Sequence, residues 1–179
     1  MKNVLILAGS PRKGGNCDLL CDEFMRGAQE SGNTVEKIFV RDKKVAACNA
    51  CGYCMEHDGI CVLKDGMADI LEKMHWADVI VMSSPVYFYS IDAQMKAVID
   101  RTYAQWTKLN DKEFYYIMTA AEDTETVMDC TLACFRGFAV CLEGAKEMGV
   151  LYGKGVYDAG AVKGTAYMQE AYEMGKSIK

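Results

Sequence analysis

Short apolar runs recur along the chain and predict the strands of a buried sheet. Residues 4–8, 79–82 and 115–118 are almost wholly apolar, without the alternation of a strand that faces solvent. Unbroken runs of this kind are typical of parallel strands covered by helices on both faces. Residues 34–40 alternate between apolar and charged side chains, which predicts an edge strand, and a fifth strand is expected within residues 148–156.

The segments between these runs carry apolar residues at helical spacing, and Gly32 is a plausible stop for the first of them. Helices are predicted over residues 19–28, 67–74, 91–99, 126–148 and 161–178. Strand and helix therefore alternate, which predicts an α/β fold, a doubly wound five-stranded parallel sheet of order 2-1-3-4-5 with helices on both faces. No linker or repeat divides the chain, so residues 1–179 are expected to form a single domain.

A sheet of this order binds ligands at the carboxyl ends of its strands, where the strand order reverses. The reversal lies between strands 1 and 3, so the loops that follow them, residues 9–16 and 83–90, are expected to meet there. Both loops are polar and lack helical character. Topology and composition therefore indicate the same candidate binding site.

The loop at residues 9–16 has the features of an anion site. It follows a strand and opens a helix, whose free N–H groups and dipole favour negative charge. Ser10 and Asn16 offer side-chain hydrogen bonds, and Arg12 offers a bidentate, charged partner. The loop lacks the lysine and hydroxyl residue of a P-loop and the Gly-x-Gly-x-x-Gly of dinucleotide sites, so ATP hydrolysis and dinucleotide binding are disfavoured. A tight turn without a ligand is the alternative.

The loop at residues 83–90 places aromatic side chains at the same edge of the sheet. Exposed aromatic surface is costly unless something covers it. A flat ring system suits this position, with Tyr87 or Phe88 beside it. Packing of these aromatics under helices or at a subunit contact is the alternative. A phosphate site beside an aromatic site favours a mononucleotide with a planar head.

These loops and two further segments resemble the flavodoxin-like, NAD(P)H-dependent FMN reductases, a family that includes the iron–sulfur flavoproteins. The resemblance covers nearly the whole chain. It lies in Leu-Ala-Gly-Ser-Pro-Arg-Lys-Gly-Gly-Asn at 7–16, the cysteine cluster at 48–61, Ser-Pro-Val-Tyr-Phe-Tyr-Ser at 84–90 and Gln-Met-Lys-Ala-Val-Ile-Asp-Arg at 94–101. It implies a flavodoxin-like fold with bound FMN.

The resemblance also implies which residues bind FMN. Ser10, Arg12 and Asn16 would hold its phosphate, and the loops at 83–90 and 119–121 would enclose its ring. The candidate FMN-binding residues are Ser10, Arg12, Asn16, Cys17, Pro85, Val86, Tyr87, Phe88, Ser90, Thr119, Ala120 and Ala121.

Four of the nine cysteines, Cys48, Cys51, Cys54 and Cys61, form a C-x2-C-x2-C-x6-C motif in a loop expected at 44–64. Such spacing lets one loop wrap several thiolates around one cluster. The resembling iron–sulfur flavoproteins use a compact motif of this kind for a 4Fe–4S cluster. Zinc, which also accepts four thiolates, and a reduced or disulfide-bonded loop without metal are the alternatives.

The other cysteines fall on predicted helices, where small buried side chains are expected. Cys17 is the exception. The resembling family often has a threonine at this position, so one phosphate hydroxyl is missing here. A helix N-terminus also lowers the pKa of a thiol, which makes Cys17 a candidate for redox chemistry.

Composition and charge disfavour several classes of function. The chain has a net charge of −5 and no Lys/Arg-rich run, so nucleic acids and anionic membranes are not expected partners. The N-terminal apolar run is too short for a signal peptide or a membrane span. Clustered cysteines without an export signal suit a reducing compartment, so we expect a cytoplasmic protein.

The predicted function is redox chemistry on bound FMN. NAD(P)H would reduce the flavin, and electrons would pass to free flavin, a quinone or another small acceptor, or through a 4Fe–4S cluster to a redox protein. The cofactor carries the chemistry, so no catalytic side chain is predicted. A non-enzymatic electron carrier of flavodoxin type and a phosphate-binding regulatory domain are the alternatives. The resemblance implies a homodimer or homotetramer.

Overall fold

The predicted strands are all present in one parallel sheet. In the computed structural model, which describes residues 1–179, the strands are β1 (Asn3–Ala8), β2 (Thr34–Phe39), β3 (Val79–Pro85), β4 (Glu113–Thr119) and β5 (Lys146–Gly153). Every neighbouring pair is parallel, and the spatial order is β2-β1-β3-β4-β5. The predicted α/β class and strand order are confirmed.

Helices cover both faces of the sheet. They are α1 (Asn16–Glu30), α2 (Tyr53–Glu56), α3 (Met67–Trp76), α4 (Ala93–Arg101), α5 (Asp129–Ala139) and α6 (Ala166–Lys176). Side chains of α1 and α6 share one apolar core with Val4 and Ile6, whereas α3, α4 and α5 share the other with Leu5 and Leu7. Successive residues of β1 thus enter opposite cores, which explains the unbroken apolar run. None of the helices combines the length and apolar character needed to cross a membrane.

Two helices are shorter than predicted. The predicted helix at 126–148 is interrupted after α5 by a turn in which Gly144 has a φ of +71°, and β5 then begins within the predicted range. The predicted helix at 161–178 begins late, because Gly160 and Gly164 have φ values of +84° and +80°. Such left-handed residues end helices and form turns, so apolar spacing alone overestimated both lengths.

Candidate functional site

A cleft of about 200 Å³ opens at the carboxyl ends of β1, β3 and β4, where the strand order reverses. The predicted FMN-binding residues that line it are Ser10, Arg12, Asn16, Cys17, Pro85, Val86, Tyr87, Thr119, Ala120 and Ala121. Phe88 and Ser90 lie outside the lining. The topology therefore brings together residues that are far apart in sequence.

The phosphate loop, residues 9–16, is held in shape without any ligand. A Cβ on Gly9 would lie 2.4 Å from the carboxylate of Asp92, so only glycine fits there. Gly14 has a φ of +70° and donates its N–H to Asp18 Oδ2 at 2.7 Å. Lys37 Nζ bonds the other oxygen of the same carboxylate at 2.7 Å. The ammonium offsets the negative charge that Asp18 brings near the loop.

The N-terminus of α1 presents unpaired hydrogen-bond donors. The N–H groups of Asn16, Cys17 and Asp18 have no protein acceptor, and the N-cap residue Gly15 has no side chain to supply one. Free N–H groups at the start of a helix carry partial positive charge and bind anions. The end of α1 at this loop is therefore ready to accept a phosphate.

Two side chains add to these donors. Arg12 is exposed at the cleft, and its guanidinium has no carboxylate partner, whereas the adjacent Lys13 is paired with Asp42 at 2.8 Å. Ser10 is buried, and its Oγ accepts the N–H of Arg12 at 3.3 Å. Its hydroxyl hydrogen remains free to donate. Arg12 and Ser10 are both available to an anion.

The side chain of Asn16 has a different role from the predicted phosphate contact. Its Nδ2 donates to the carbonyls of Val156 and Asp158 at 3.2 and 3.0 Å, and its Oδ1 accepts the N–H of Val162 at 3.2 Å. These bonds use both amide hydrogens, so none is left for a phosphate. The side chain ties the segment that follows β5 to the phosphate loop, and only the backbone N–H of Asn16 remains available.

Cys17 is buried below the cleft, with its Sγ 3.1 Å from Thr119 Oγ1. Loss of water on burial raises the pKa of the Cys17 thiol to about 11, although the hydrogen bond with Thr119 partly lowers it. This shift is opposite to the lowering expected at a helix N-terminus, so burial disfavours the thiolate that a redox role would need. Cys17 is a neutral, packed side chain at neutral pH.

The aromatic loop, residues 83–90, ends in a two-residue turn. Tyr87 and Ser90 exchange backbone hydrogen bonds of 2.9 and 3.0 Å around Phe88 and Tyr89. The two central residues have φ values of +49° and +61°, a left-handed conformation that bulky side chains rarely adopt. The turn leaves Phe88 fully exposed, while Tyr87 lines the cleft.

A buried polar pair below this loop was not predicted from the sequence. Ser84 Oγ bonds Asp92 Oδ2 at 2.7 Å and accepts the N–H of Asp92 at 2.9 Å. Asp92 Oδ1 also accepts the N–H of Met95 at 3.0 Å and so caps α4. Burial raises the pKa of Asp92, and these hydrogen bonds oppose the rise. An aspartate just before an apolar helical stripe was the available signal for this cap.

The predicted metal ligands Cys48, Cys51, Cys54 and Cys61 line one open cavity of about 490 Å³, which Arg101 also borders. Cys48 and Cys51 are exposed, and the other two are half-buried. No three histidine, cysteine, aspartate or glutamate side chains in the structure are close enough together to hold a metal ion. The fold thus gathers the four thiols around a shared space.

Within this cysteine loop, residues 44–64, the backbone curves around the first sulfur. Ala50 has a φ of +53° and donates its N–H to Cys48 Sγ at 3.4 Å, and Gly52 follows with a φ of +73°. Backbone N–H groups directed at cysteine sulfurs stabilise thiolates and tune the clusters bound to them. The turn between Cys48 and Cys51 therefore suits ligation.

Arg101 and Asp65 fasten the two ends of the cysteine loop. Arg101 donates from Nη1 to Asp65 Oδ2 at 2.8 Å and from Nη2 to Oδ1 at 3.1 Å. The backbone of Ala46 bonds both partners. Its carbonyl accepts a hydrogen bond from Arg101, and its N–H donates one to Asp65, each at 2.9 Å. Between these ends, a Cβ on Gly59 would lie 2.5 Å from the carbonyl of Ala104. The loop is therefore attached at its base and near its middle.

Comparison with known families identifies the chain. The sequence model described as NADPH-dependent FMN reductase matches residues 2–131, which include β1 to β4, both cleft loops and the cysteine loop. This chain belongs to the NADPH-dependent FMN reductase family. The predicted resemblance to this family is confirmed.

Curated proteins similar to this family member are iron–sulfur flavoproteins. One from Methanosarcina thermophila is 42% identical over 96 residues, which cover 54% of this chain and 50% of the relative. One from Archaeoglobus fulgidus is 41% identical over 101 residues, 56% of this chain and 45% of the relative. The chain spans about half the length of the curated relatives it matches.

Solved structures of reductases have the same fold as this FMN reductase family member. An NAD(P)H:quinone oxidoreductase from Methanothermobacter marburgensis has a TM-score of 0.76 at 16% identity, covering 98% of this chain and 94% of that one. An azoreductase from Bacillus anthracis has a TM-score of 0.72 at 15% identity, covering 99% and 100%. At such low identity these structures establish the fold alone.

Some cleft residues of this FMN reductase family member were missed in the sequence. They follow β4 and β5, and they are Glu122, Val156, Tyr157 and Ala159. Loops after parallel strands meet at the same edge of a sheet, so topology was the available signal. The loop after β5 carries no motif that marks it as part of a binding site.

Proposed function

We propose that this chain is an FMN-dependent oxidoreductase that takes electrons from NAD(P)H and passes them to a small acceptor such as flavin or a quinone. The proposal assigns FMN to the cleft of a single domain, residues 1–179. Its main support is that three features lie in the same cleft. They are the free N–H groups of a helix, an arginine without a carboxylate partner and an aromatic loop. Family membership supports the same cofactor.

We assign the FMN phosphate to the N-terminus of α1. The backbone N–H groups of Asn16 and Cys17 would donate to it, and Ser10 Oγ would add a third hydrogen bond. Arg12 would supply the countercharge, since it is the cleft cation without a carboxylate partner. A phosphate on preorganised donors needs little loop rearrangement, because Gly9 and Asp18 already fix the loop.

We assign the flavin ring to the space between the aromatic loop and residues 119–121. Val86 donates its N–H to the Thr119 carbonyl at 2.8 Å, so a backbone hydrogen bond joins the aromatic loop to residues 119–121. Tyr87 would cover a ring face and exclude water, and the neutral thiol of Cys17 adds no charge beneath it. FMN supplies the hydride and electron-transfer chemistry when bound, while the chain binds and orients it.

We further propose that the cysteine loop holds a 4Fe–4S cluster. Four thiols line one cavity, which is the ligand set that such a cluster requires. Curated relatives that match this chain bear the name iron–sulfur flavoprotein. A buried Arg101 Nε without an acceptor, beside this cavity, is the polar group that a bound cluster would satisfy.

The same proposal predicts the oligomeric state, the protein partner and the compartment of the chain. We expect a homodimer or homotetramer, in which a second copy covers the exposed Phe88 at the edge of the cleft. A redox protein is the expected partner of a cluster near the surface, and the cytoplasm is the expected compartment. Analytical ultracentrifugation of wild type and Phe88→Ser tests the assembly, and a monomeric wild type would contradict it.

The test of the function is spectroscopic and kinetic. Protein purified without oxygen is analysed for flavin absorbance and for iron, and is then mixed with NADPH or NADH with and without a quinone. We expect bound FMN, about four irons per chain and catalytic turnover. Flavin that is reduced but shows no turnover indicates the electron carrier instead. A colourless protein that fails to bind added FMN would overturn the proposal.

A further inference from the structure

Arg101 carries a hydrogen-bond donor that the protein leaves unused. Its side chain is 1% exposed, and its Nη atoms bond Asp65 and the carbonyl of Ala46. Its Nε is also buried but has no acceptor. An unsatisfied N–H on a buried, charged group is unfavourable, so such groups are rare and call for an explanation.

The sulfur of Cys61 is the group that would accept this hydrogen bond. Arg101 and Cys61 line the same cavity with the other three cysteines of the motif. A neutral thiol is a weak acceptor, whereas a ligated thiolate is a strong one. The donor would therefore gain its partner when the loop is loaded.

The orientation of the guanidinium also matters. Both Nη atoms bond the Asp65 carboxylate, so the Nε–H is the donor of Arg101 that remains for a sulfur in the shared cavity. A thiolate-bound iron–sulfur cluster is negative and gains further negative charge on reduction. Hydrogen bonds to sulfur and nearby charge are the established means of changing its potential.

We propose that Arg101 is a positioning residue for the cluster, whose Nε–H donates to the Cys61 thiolate and thereby raises the reduction potential of the cluster. This inference rests on the proposed 4Fe–4S cluster. It gives Arg101 two roles: the Nη atoms hold the ends of the cysteine loop, and Nε acts on one ligand.

The test compares Arg101→Lys with Arg136→Lys in the whole protein. Lysine keeps the positive charge but has no Nε–H in this position. Arg136 forms a similar bidentate pair with Glu147, at 2.7 Å for each bond, and lies on α5, outside the cysteine loop. An EPR-monitored redox titration of the cluster gives its midpoint potential. We expect a more negative potential in Arg101→Lys with flavin content retained, and the wild-type potential in Arg136→Lys.

A second variant separates tuning from simple anchoring. Asp65→Asn weakens the same loop anchor but keeps the Nε–H and removes the countercharge, so we expect a shift to more positive potential. A wild-type potential in Arg101→Lys, or loss of iron in both variants alike, would overturn the inference and leave Arg101 a structural anchor. Wild-type protein without iron would overturn the cluster proposal itself, an outcome seen before any variant is made.

Discussion

Ser10, Asn16 and Cys17 in the cleft are buried, whereas Cys48 and Cys51 in the cysteine loop are open to solvent. The cleft is made from loops that continue directly from β1, β3 and β4, and backbone hydrogen bonds hold their shape. The cysteine loop touches the rest of the fold mainly through its base and near its middle. The first site is formed by the sheet, and the second is expected to complete its geometry on its ligand.

The largest expected effect comes from removing one ligand of the cysteine loop. Cys51→Ser should abolish bound iron, because a 4Fe–4S cluster needs four thiolates. FMN binding should be retained, since the cleft does not depend on this loop. Iron and flavin content per chain measure both effects.

The matched control is Cys130→Ser, which replaces an exposed cysteine on α5 outside the motif. This variant should keep its iron and its flavin. Loss of FMN in Cys51→Ser together with iron would show that the two sites are not separable, contrary to the comparison above.

A smaller but still large effect is expected from Gly9→Ala in the cleft. The added Cβ would overlap the Asp92 carboxylate and lie 2.7 Å from the Ser83 carbonyl, both of which are buried. We expect a loss of about 2–3 kcal/mol in the free energy of unfolding. Urea denaturation measures it. Gly137→Ala, in the middle of α5 with open space around it, should be neutral or slightly stabilising. Equal effects at the two positions would contradict a tightly fitted phosphate loop.

Replacing Arg12 by glutamine should weaken FMN without unfolding the protein. A charged hydrogen bond to phosphate contributes about 1.5–3 kcal/mol, so the dissociation constant should rise roughly tenfold to a hundredfold. Flavin fluorescence titration gives this value. Lys13→Gln removes the neighbouring charge, which is already paired with Asp42, and should change affinity little. A larger loss of FMN affinity in Lys13→Gln than in Arg12→Gln would contradict the assignment of the phosphate to Arg12.

The smallest expected effect is a decline of stability at alkaline pH. Burial raises the pKa of Cys17 from its ordinary 9.0 to about 11, so the unfolded chain loses this proton first. The protonated Cys17 thiol makes its full contribution to the free energy of unfolding below pH 9. This contribution declines between pH 9 and 11, and the loss is about 1 kcal/mol at pH 10. Urea denaturation at pH 8 and pH 10 should show a smaller decline in Cys17→Ser. An unchanged decline would contradict a buried, neutral thiol.

The sequence predicted the sheet well, because its strands are buried on both sides and leave an unbroken apolar signal. The same reasoning overestimated the last two helices, where glycines with positive φ end the regular spacing. It also placed the two cleft loops correctly, since their position depends only on strand order. Local pattern and topology together were sufficient for the fold.

The details of the site depended on contacts that no local pattern shows. Asn16 meets Val156 and Asp158 through their backbone carbonyls, far along the chain, and this uses its amide. The left-handed turn at Phe88 and Tyr89 was equally hidden, because aromatic residues ordinarily avoid that conformation. Burial of Cys17 reversed the pKa shift expected from its place on the helix.

The bonds of Asn16 have a consequence for how this protein can change over generations. All three of its partners are main-chain atoms, so replacement of the side chains in residues 156–162 need not break the connection. Side chains beside the cleft in this segment can therefore be exchanged while its backbone stays fastened to the phosphate loop.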